Sequence, residues 1–180
     1  MQNGAMTVVL AAATVAVAAC GSDSTNPAPV SKIVHFTASL SPANEPSVTG
    51  NPTGTGTFTA TLDTSTNVFI YNLVFSGLTA NASLGHIHGP FPSGTATQAG
   101  VILNFDPAVT PGVTFTGLKT ATSGSATGTL TLNSSVQFTG TINGDSLRKL
   151  LLAGLTYANI HTATNPGGEI RGQITIKANP

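Results

Sequence analysis

Short segments in which apolar and polar residues alternate recur along this chain, with glycine- and proline-rich turns between them. Residues 33–40 and 56–62 are the clearest cases, since every second side chain in each is apolar. A period of two residues is that of a β-strand with one buried face. Many short strands at this spacing predict an all-β fold, specifically a Greek-key-like antiparallel β-sandwich or barrel.

The rest of the chain continues this pattern and adds one short helix. Residues 68–76 are apolar on both faces, which predicts a central strand. A helix is predicted over Ser146–Ala153, with Asn143 or Asp145 as its N-cap and Gly154 just after its end. The remaining predicted strands are 84–88, 98–103, 113–118, 128–132, 137–142, 156–161 and 169–177.

The charge content excludes one large class of partners. Only 7% of the residues are charged, and six basic side chains balance six acidic ones. Nucleic acid is bound through a positive surface field, which this composition does not supply. A chain of 180 residues has room for one domain once a leader is removed, and we assign that domain to residues 32–180.

The N-terminus has the pattern of an export signal. Residues 5–19 form an uncharged apolar run, short for a membrane span but typical of the core of a signal peptide. The run ends in Val17-Ala18-Ala19-Cys20, which resembles the lipobox of bacterial lipoproteins. We therefore expect residues 1–19 to be a lipoprotein signal peptide and Cys20 to be lipidated. The first four residues lack the usual Lys or Arg, which a misassigned start codon would explain.

The single cysteine and the residues after it predict how the domain is attached. Cys20 has no second cysteine with which to form an intramolecular disulfide. The residues that follow it are small, polar and proline-containing, so residues 20–31 are expected to form a flexible linker. These features predict a domain that is lipid-anchored in the cell envelope. It would face outside the cytoplasm, in the periplasm or at the cell surface.

Three of the four histidines lie at the ends of predicted strands. His86 and His88 share one face because they are two residues apart, and His161 ends a later strand. Three imidazoles suit copper or zinc, whereas calcium and magnesium prefer oxygen ligands. These histidines are therefore a candidate metal site. An alternative is that they bond to loop backbone and hold turns in place. The fourth histidine, His35, is expected to be exposed.

Glu169 and Arg171 follow His161 within one hairpin's length and are predicted to lie close to the histidines without binding the metal. An alternative is that they only pair with each other, since they share a face of the last predicted strand. One of them would then also hold Asn159 or a loop carbonyl in place.

Motifs for covalent catalysis are missing from the sequence. No serine lies in a G-x-S-x-G elbow, and no glycine-rich loop precedes a helix as a phosphate-binding loop does. A non-enzymatic role is therefore favoured, while the question of enzymatic activity stays open.

Six motifs follow one another along the chain after the linker. They are Asn44-Glu45-Pro46, Gly54-Thr55-Gly56-Thr57, Tyr71 with Phe75-Ser76-Gly77-Leu78, His86-Ile87-His88-Gly89-Pro90, the segment 154–162 and the segment 165–174. In kind and order they resemble the motifs of the CHRD domain, named for a domain repeated in chordin, an extracellular protein that binds growth factors. The resemblance covers nearly the whole chain after the linker and implies an extracellular module. In bacteria such domains occur in exported proteins.

A weaker resemblance is to copper/zinc superoxide dismutase, itself a Greek-key β-sandwich. His86 and His88 match a copper-binding His-x-His pair of that enzyme. His161 and Arg171 match a later copper-binding histidine and an active-site arginine. The bridging histidine, the zinc ligands and the disulfide have no counterpart here. The resemblance therefore implies at most a three-histidine copper site with a nearby arginine, and it does not imply dismutase activity.

The sequence leads to two functional hypotheses. The first is a membrane-anchored CHRD-domain lipoprotein that acts as a non-enzymatic binding or structural module, with a surface or extracellular partner that the sequence does not identify. The second is a copper-binding domain that uses His86, His88 and His161, for which zinc is the less suitable metal.

Overall fold

The computed structural model describes residues 32–94, 97–135, 137–139 and 142–178. The predicted signal peptide, the lipidation site Cys20 and the linker up to residue 31 lie outside these ranges. Among the residues that are described, no helix is long and apolar enough to cross a membrane.

The described part of the chain contains eleven strands, one α-helix and a short 3-10 helix, Pro42–Asn44. The strands are β1 (Ile33–Leu40), β2 (Thr55–Asp63), β3 (Val68–Ser76), β4 (Ala82–His88), β5 (Val101–Asn104), β6 (Val113–Thr116), β7 (Gly124–Thr131), β8 (Gln137–Thr139), β9 (Ile142–Asn143), β10 (Thr156–Thr162) and β11 (Ile170–Ile176). The helix α1 spans Gly144–Leu152. Nine of the strands form one antiparallel sheet, while β8 and β9 pair only with each other.

The large sheet has two halves that face each other. Its strand order is β5-β4-β10-β11-β1-β2-β3-β7-β6. We call β5, β4, β10 and β11 the histidine half, and β1, β2, β3, β7 and β6 the meander half. The two halves join where the last strand, β11, pairs with the first, β1. Neighbours that are distant in sequence, such as β4 with β10, show that the chain crosses between halves, as in Greek-key folds. The predicted all-β fold is confirmed.

The hydrophobic core lies between the two halves. The ring of Tyr71, on β3, packs 5.2 Å from the ring of Phe105, which follows β5. The core leaves no room for a side chain at Gly85 on β4, since a Cβ there would lie 2.8 Å from both Ile160 and Phe105 and 3.0 Å from Phe115. Each large apolar side chain buried in this way stabilises the fold by about 1.5–3 kcal/mol. This core fixes the strands that carry the histidines.

The helix has the predicted N-cap. Asn143, rather than Asp145, caps α1, since its side-chain oxygen accepts a hydrogen bond from the backbone N–H of Ser146 at 3.0 Å. Gly154 follows the helix with a positive φ of 68°, the conformation expected of a glycine there.

Residues 68–76 form a central strand, as predicted, since β3 lies between β2 and β7. Its outer face is nevertheless open to solvent, where Ile70 and Val74 are 50% and 49% exposed. Two other strand predictions need correction. The predicted strand 137–142 is two short strands, β8 and β9. The predicted strand 98–103 begins only at Val101, since the residues just before it turn to cover the histidines, where Ala99 contacts His88.

Candidate functional site

The candidate site lies on the outer face of the histidine half. Ile87, Ala158 and Ile160 belong to the core, so the alternate residues of β4 and β10 point outward. Such a face would normally contact solvent, as Leu84 near the start of β4 does with 38% of its surface exposed. The rest of this face is covered, and all seven residues of β10 are buried. The buried outward-pointing side chains of these two strands are His86, His88, Tyr157, Asn159 and His161.

The strand register brings the three predicted histidines together. His86 is paired with Asn159 across β4 and β10, and His161 lies two residues beyond Asn159. One ring nitrogen of each histidine lies within 4.8 Å of the other two. Two of the rings are in direct contact, since His86 Nδ1 lies 3.0 Å from His161 Nε2. All three histidines are buried, whereas His35 is exposed, as predicted.

Backbone carbonyls orient two of the rings. His88 Nδ1 lies 2.9 Å from the carbonyl oxygen of Ala99, and His161 Nδ1 lies 2.9 Å from that of Pro166. A carbonyl oxygen only accepts, so each Nδ1 carries the hydrogen and donates it. Each neutral ring then keeps a lone pair on Nε2. Metal-binding histidines are oriented in this way, so bonding to loop backbone and metal binding are compatible.

Burial keeps the three imidazoles neutral. Burial, reinforced by the nearby rings of His161 and His88, lowers the pKa of His86 to about 3. Burial also lowers the pKa of His88 to about 4, although its hydrogen bond to Ala99 acts in the opposite direction. The pKa of His161 is lowered for the same reason, against the effect of its bond to Pro166. Neutral imidazole is the form that binds metal ions.

Arg171 lies beside the histidines between two aromatic rings. Its guanidinium carbon is 4.0 Å from the ring centroid of Tyr157 and 4.2 Å from that of Phe91, close enough for cation–π attraction. The ring of Tyr157 also stacks on His88, with centroids 4.7 Å apart and an angle of 8° between the planes. Arg171 is therefore linked to the histidines through Tyr157.

The acidic partner of Arg171 is Glu45. Arg171 Nη1 lies 4.0 Å from Glu45 Oε1, and the two side chains are 5% and 1% exposed. Burial raises the pKa of the Glu45 carboxyl, although Arg171 and the amides of Gln98 and Asn159 act to lower it. Arg171 Nη1 also donates to the carbonyl of Thr97 at 3.3 Å. It thereby anchors the segment whose Ala99 carbonyl orients His88.

Glu169 does not pair with Arg171, so that prediction is wrong. Its carboxylate accepts from the Thr79 N–H at 2.8 Å, the Thr79 hydroxyl at 2.5 Å and the Thr162 hydroxyl at 2.7 Å. Burial acts to raise the pKa of Glu169. These bonds and a longer one from Asn165 together outweigh that effect, so the pKa of Glu169 is lowered. Because β11 begins at Ile170, alternation along the strand does not determine where Glu169 points. Glu169 instead holds the loop that supplies the Pro166 carbonyl.

Glu45, Phe91 and Tyr157 are site residues that the sequence reasoning did not assign. Glu45 and Phe91 lie in loops, whose course the alternation of apolar residues does not predict. Two features of the sequence could have pointed to Glu45. Charged residues are rare in this chain, and Glu45 lies within one of the recognised motifs.

Comparison with known proteins gives one match. A family model for the CHRD domain matches residues 36–174. The chain belongs to the CHRD family. No curated protein and no solved structure matches it significantly. The matched range of the CHRD domain contains the whole cluster described above, from Glu45 to Arg171.

The histidine cluster of this CHRD domain fits a copper or zinc ion. Its three imidazoles are buried and neutral, and their nitrogens are close enough to share one ion after small movements. Imidazole is a ligand that both metals accept, whereas calcium and magnesium require several oxygens. Three protein ligands also leave a coordination position open, as in catalytic and transport sites.

The neutral histidines predict a pH dependence of stability in the metal-free protein. Their pKa values are lower in the folded state than the unperturbed value of about 6.5, so the unfolded chain binds more protons below that pH. The free energy of unfolding should therefore fall as the pH drops from about 6.5 to about 4. Each histidine that stays neutral contributes about 1.4 kcal/mol per pH unit.

Urea unfolding of chelator-treated protein at pH 7 and pH 5 measures this loss. A His86→Asn variant, whose amide takes the place of Nδ1, should lose less stability than the wild type over the same interval. Equal losses in the two proteins would contradict the assignment of a neutral, buried His86.

Proposed function

We propose that this CHRD domain is an extracytoplasmic module that binds a copper ion through His86, His88 and His161. The observation that carries the proposal is that three buried imidazoles converge, with ligand nitrogens within 4.8 Å of one another. Burying three neutral imidazoles side by side does not stabilise the fold unless their lone pairs bind a cation or accept a hydrogen bond. A bound metal ion satisfies all three at once.

Copper is the preferred occupant on chemical grounds. Divalent copper binds a given set of nitrogen ligands more tightly than divalent zinc does. The ligand set supplies no thiolate, because the only cysteine of the chain is Cys20, outside the described residues. Zinc, which also accepts three imidazoles and a water molecule, is the competitor to be measured.

The site is proposed to act at a membrane surface. The linker, residues 20–31, is separated from the start of β1 at Ile33 by Lys32 alone. A lipidated Cys20 would therefore tether the domain in the cell envelope, in the periplasm or at the cell surface, through twelve residues that span at most about 40 Å. Membrane fractionation of a Cys20→Ser variant tests the anchor. Release of the variant into the soluble fraction is expected, and its retention in the membrane would contradict lipidation.

A second candidate function is a metal-free module that binds a partner or serves a structural role. The observation in its favour is that protein groups already contact the histidines, through the carbonyls of Ala99 and Pro166 and the short contact between His86 and His161. In that case the histidines would only stabilise the loops that cover them. Substituting them would then lower stability equally with and without metal.

Copper titration separates the two functions. One equivalent of Cu²⁺ should bind to the wild type and to His35→Ala, which lacks the exposed histidine. The double variant His86→Ala/His88→Ala should lose this binding. A free copper concentration 100 times the dissociation constant stabilises a folded protein by about 2.7 kcal/mol, which corresponds to a rise in Tm of roughly 5–10 °C.

The control makes the result specific to the cluster. His35→Ala should show the same rise in Tm as the wild type, since His35 is exposed on β1. An equal copper-induced rise in the wild type and the double variant would contradict the three-histidine site. It would favour the metal-free module instead.

A further inference from the structure

Asn159 makes an unusual contact with His88. The side-chain oxygen Oδ1 of Asn159 lies 3.1 Å from His88 Nε2, and both residues are buried. The other ring nitrogen of His88 donates to the carbonyl of Ala99 at 2.9 Å. In a neutral ring, Nε2 therefore carries a lone pair and no hydrogen.

Two lone pairs thus face each other inside the protein. An amide oxygen accepts hydrogen bonds and has none to donate, so the contact between Oδ1 and Nε2 is not a hydrogen bond for the neutral ring. Burying two unpaired acceptors against each other is unfavourable. A cation between them turns the contact into two favourable bonds, and about 3 Å is a natural separation for two ligands of one small metal ion.

The surroundings of the amide hold its oxygen toward His88. The amide of Asn159 acts to lower the pKa of Glu45, as an amide N–H that faces a carboxylate does. Turning the amide over would direct Oδ1 at that carboxylate instead. The side chain of Glu45 is 1% exposed, and its Oε2 accepts no hydrogen bond within the described residues, so an amide oxygen turned toward it would add a second unpaired acceptor. Glu45 therefore favours the observed orientation of Asn159.

We propose that Asn159 is a fourth ligand of the metal site, binding the ion through Oδ1 beside the nitrogens of His86, His88 and His161. This assignment rests on the proposed copper site. It completes a set of three nitrogens and one oxygen, all from β4 and β10. Glu45 acts as a positioning residue that orients the amide.

The fourth ligand has a consequence for selectivity. An amide oxygen is a harder donor than an imidazole nitrogen, and soft Cu⁺ gains less from it than Cu²⁺ does. The site should therefore discriminate in favour of the divalent ion. Loss of the oxygen should weaken Cu²⁺ binding more than Cu⁺ binding, a difference that a purely structural role of Asn159 would not produce.

The test compares three variants by competition for Cu²⁺ and Cu⁺ and by the EPR spectrum of the Cu²⁺ form. Asn159→Leu removes the oxygen at similar volume and should weaken Cu²⁺ binding at least tenfold, with a smaller effect on Cu⁺. Asn159→Asp keeps an oxygen and should bind Cu²⁺ at least as tightly as the wild type, with a changed EPR spectrum. Asn44→Leu is the control, since its amide bonds to the Arg171 carbonyl away from the histidines, and it should match the wild type.

The outcomes separate this ligand from the site itself. Wild-type Cu²⁺ affinity and an unchanged EPR spectrum in Asn159→Leu would overturn the fourth ligand while leaving the three histidines in place. Thermal melting without metal shows whether Asn159→Leu folds. If it does not fold, an unchanged EPR spectrum in Asn159→Asp would equally overturn the fourth ligand. If the wild type does not bind Cu²⁺, or if His86→Ala/His88→Ala still binds it, the copper site and the fourth ligand are overturned together.

Discussion

Burial of both faces of β10 is the constraint on which the rest of this structure depends. A strand in a two-layer β fold packs one face on the core and shows the other to solvent, yet all seven residues of β10 are buried. The inner face packs on the core through Ala158 and Ile160. The outer face is covered by loops that Arg171 and Glu169 hold down. Without that cover, the histidines would be ordinary exposed side chains with unperturbed pKa values.

The covering loops have two effects on the same rings. They remove water, which lowers the pKa of each histidine and keeps it neutral. They also supply the carbonyls of Ala99 and Pro166, which place the hydrogens of His88 and His161 on Nδ1. Desolvation and orientation together prepare lone pairs for a metal ion before any ion arrives. The charged pair of Glu45 and Arg171 contributes by anchoring the loop that contains Ala99.

The sequence predicted those features that a two-residue period determines. It predicted one buried face for residues 33–40, on which Phe36, Ala38 and Leu40 lie in the core, and it put His86 and His88 on one face. It could not say that Asn159 lies opposite His86, because register between distant strands depends on pairing. It misassigned the partner of Glu169, since a residue just before a strand has no side fixed by alternation. It did not predict Glu45 as a site residue, because Glu45 lies in a loop whose course over the sheet is not determined by alternation. The anchor at Cys20 and the likeness to superoxide dismutase stay predictions.

The central claim is that β4 and β10 hold three neutral imidazoles ready to share one metal ion. The most direct measurement is ¹⁵N NMR of the histidine rings, before and after one equivalent of diamagnetic Zn²⁺. We predict hydrogens on Nδ1 of His88 and His161 in the metal-free protein, and shifts of ring nitrogens in His86, His88 and His161 that are complete at one equivalent. His35 should not change. Hydrogens on Nε2 of His88 and His161, or rings that do not respond to the metal, would contradict the account.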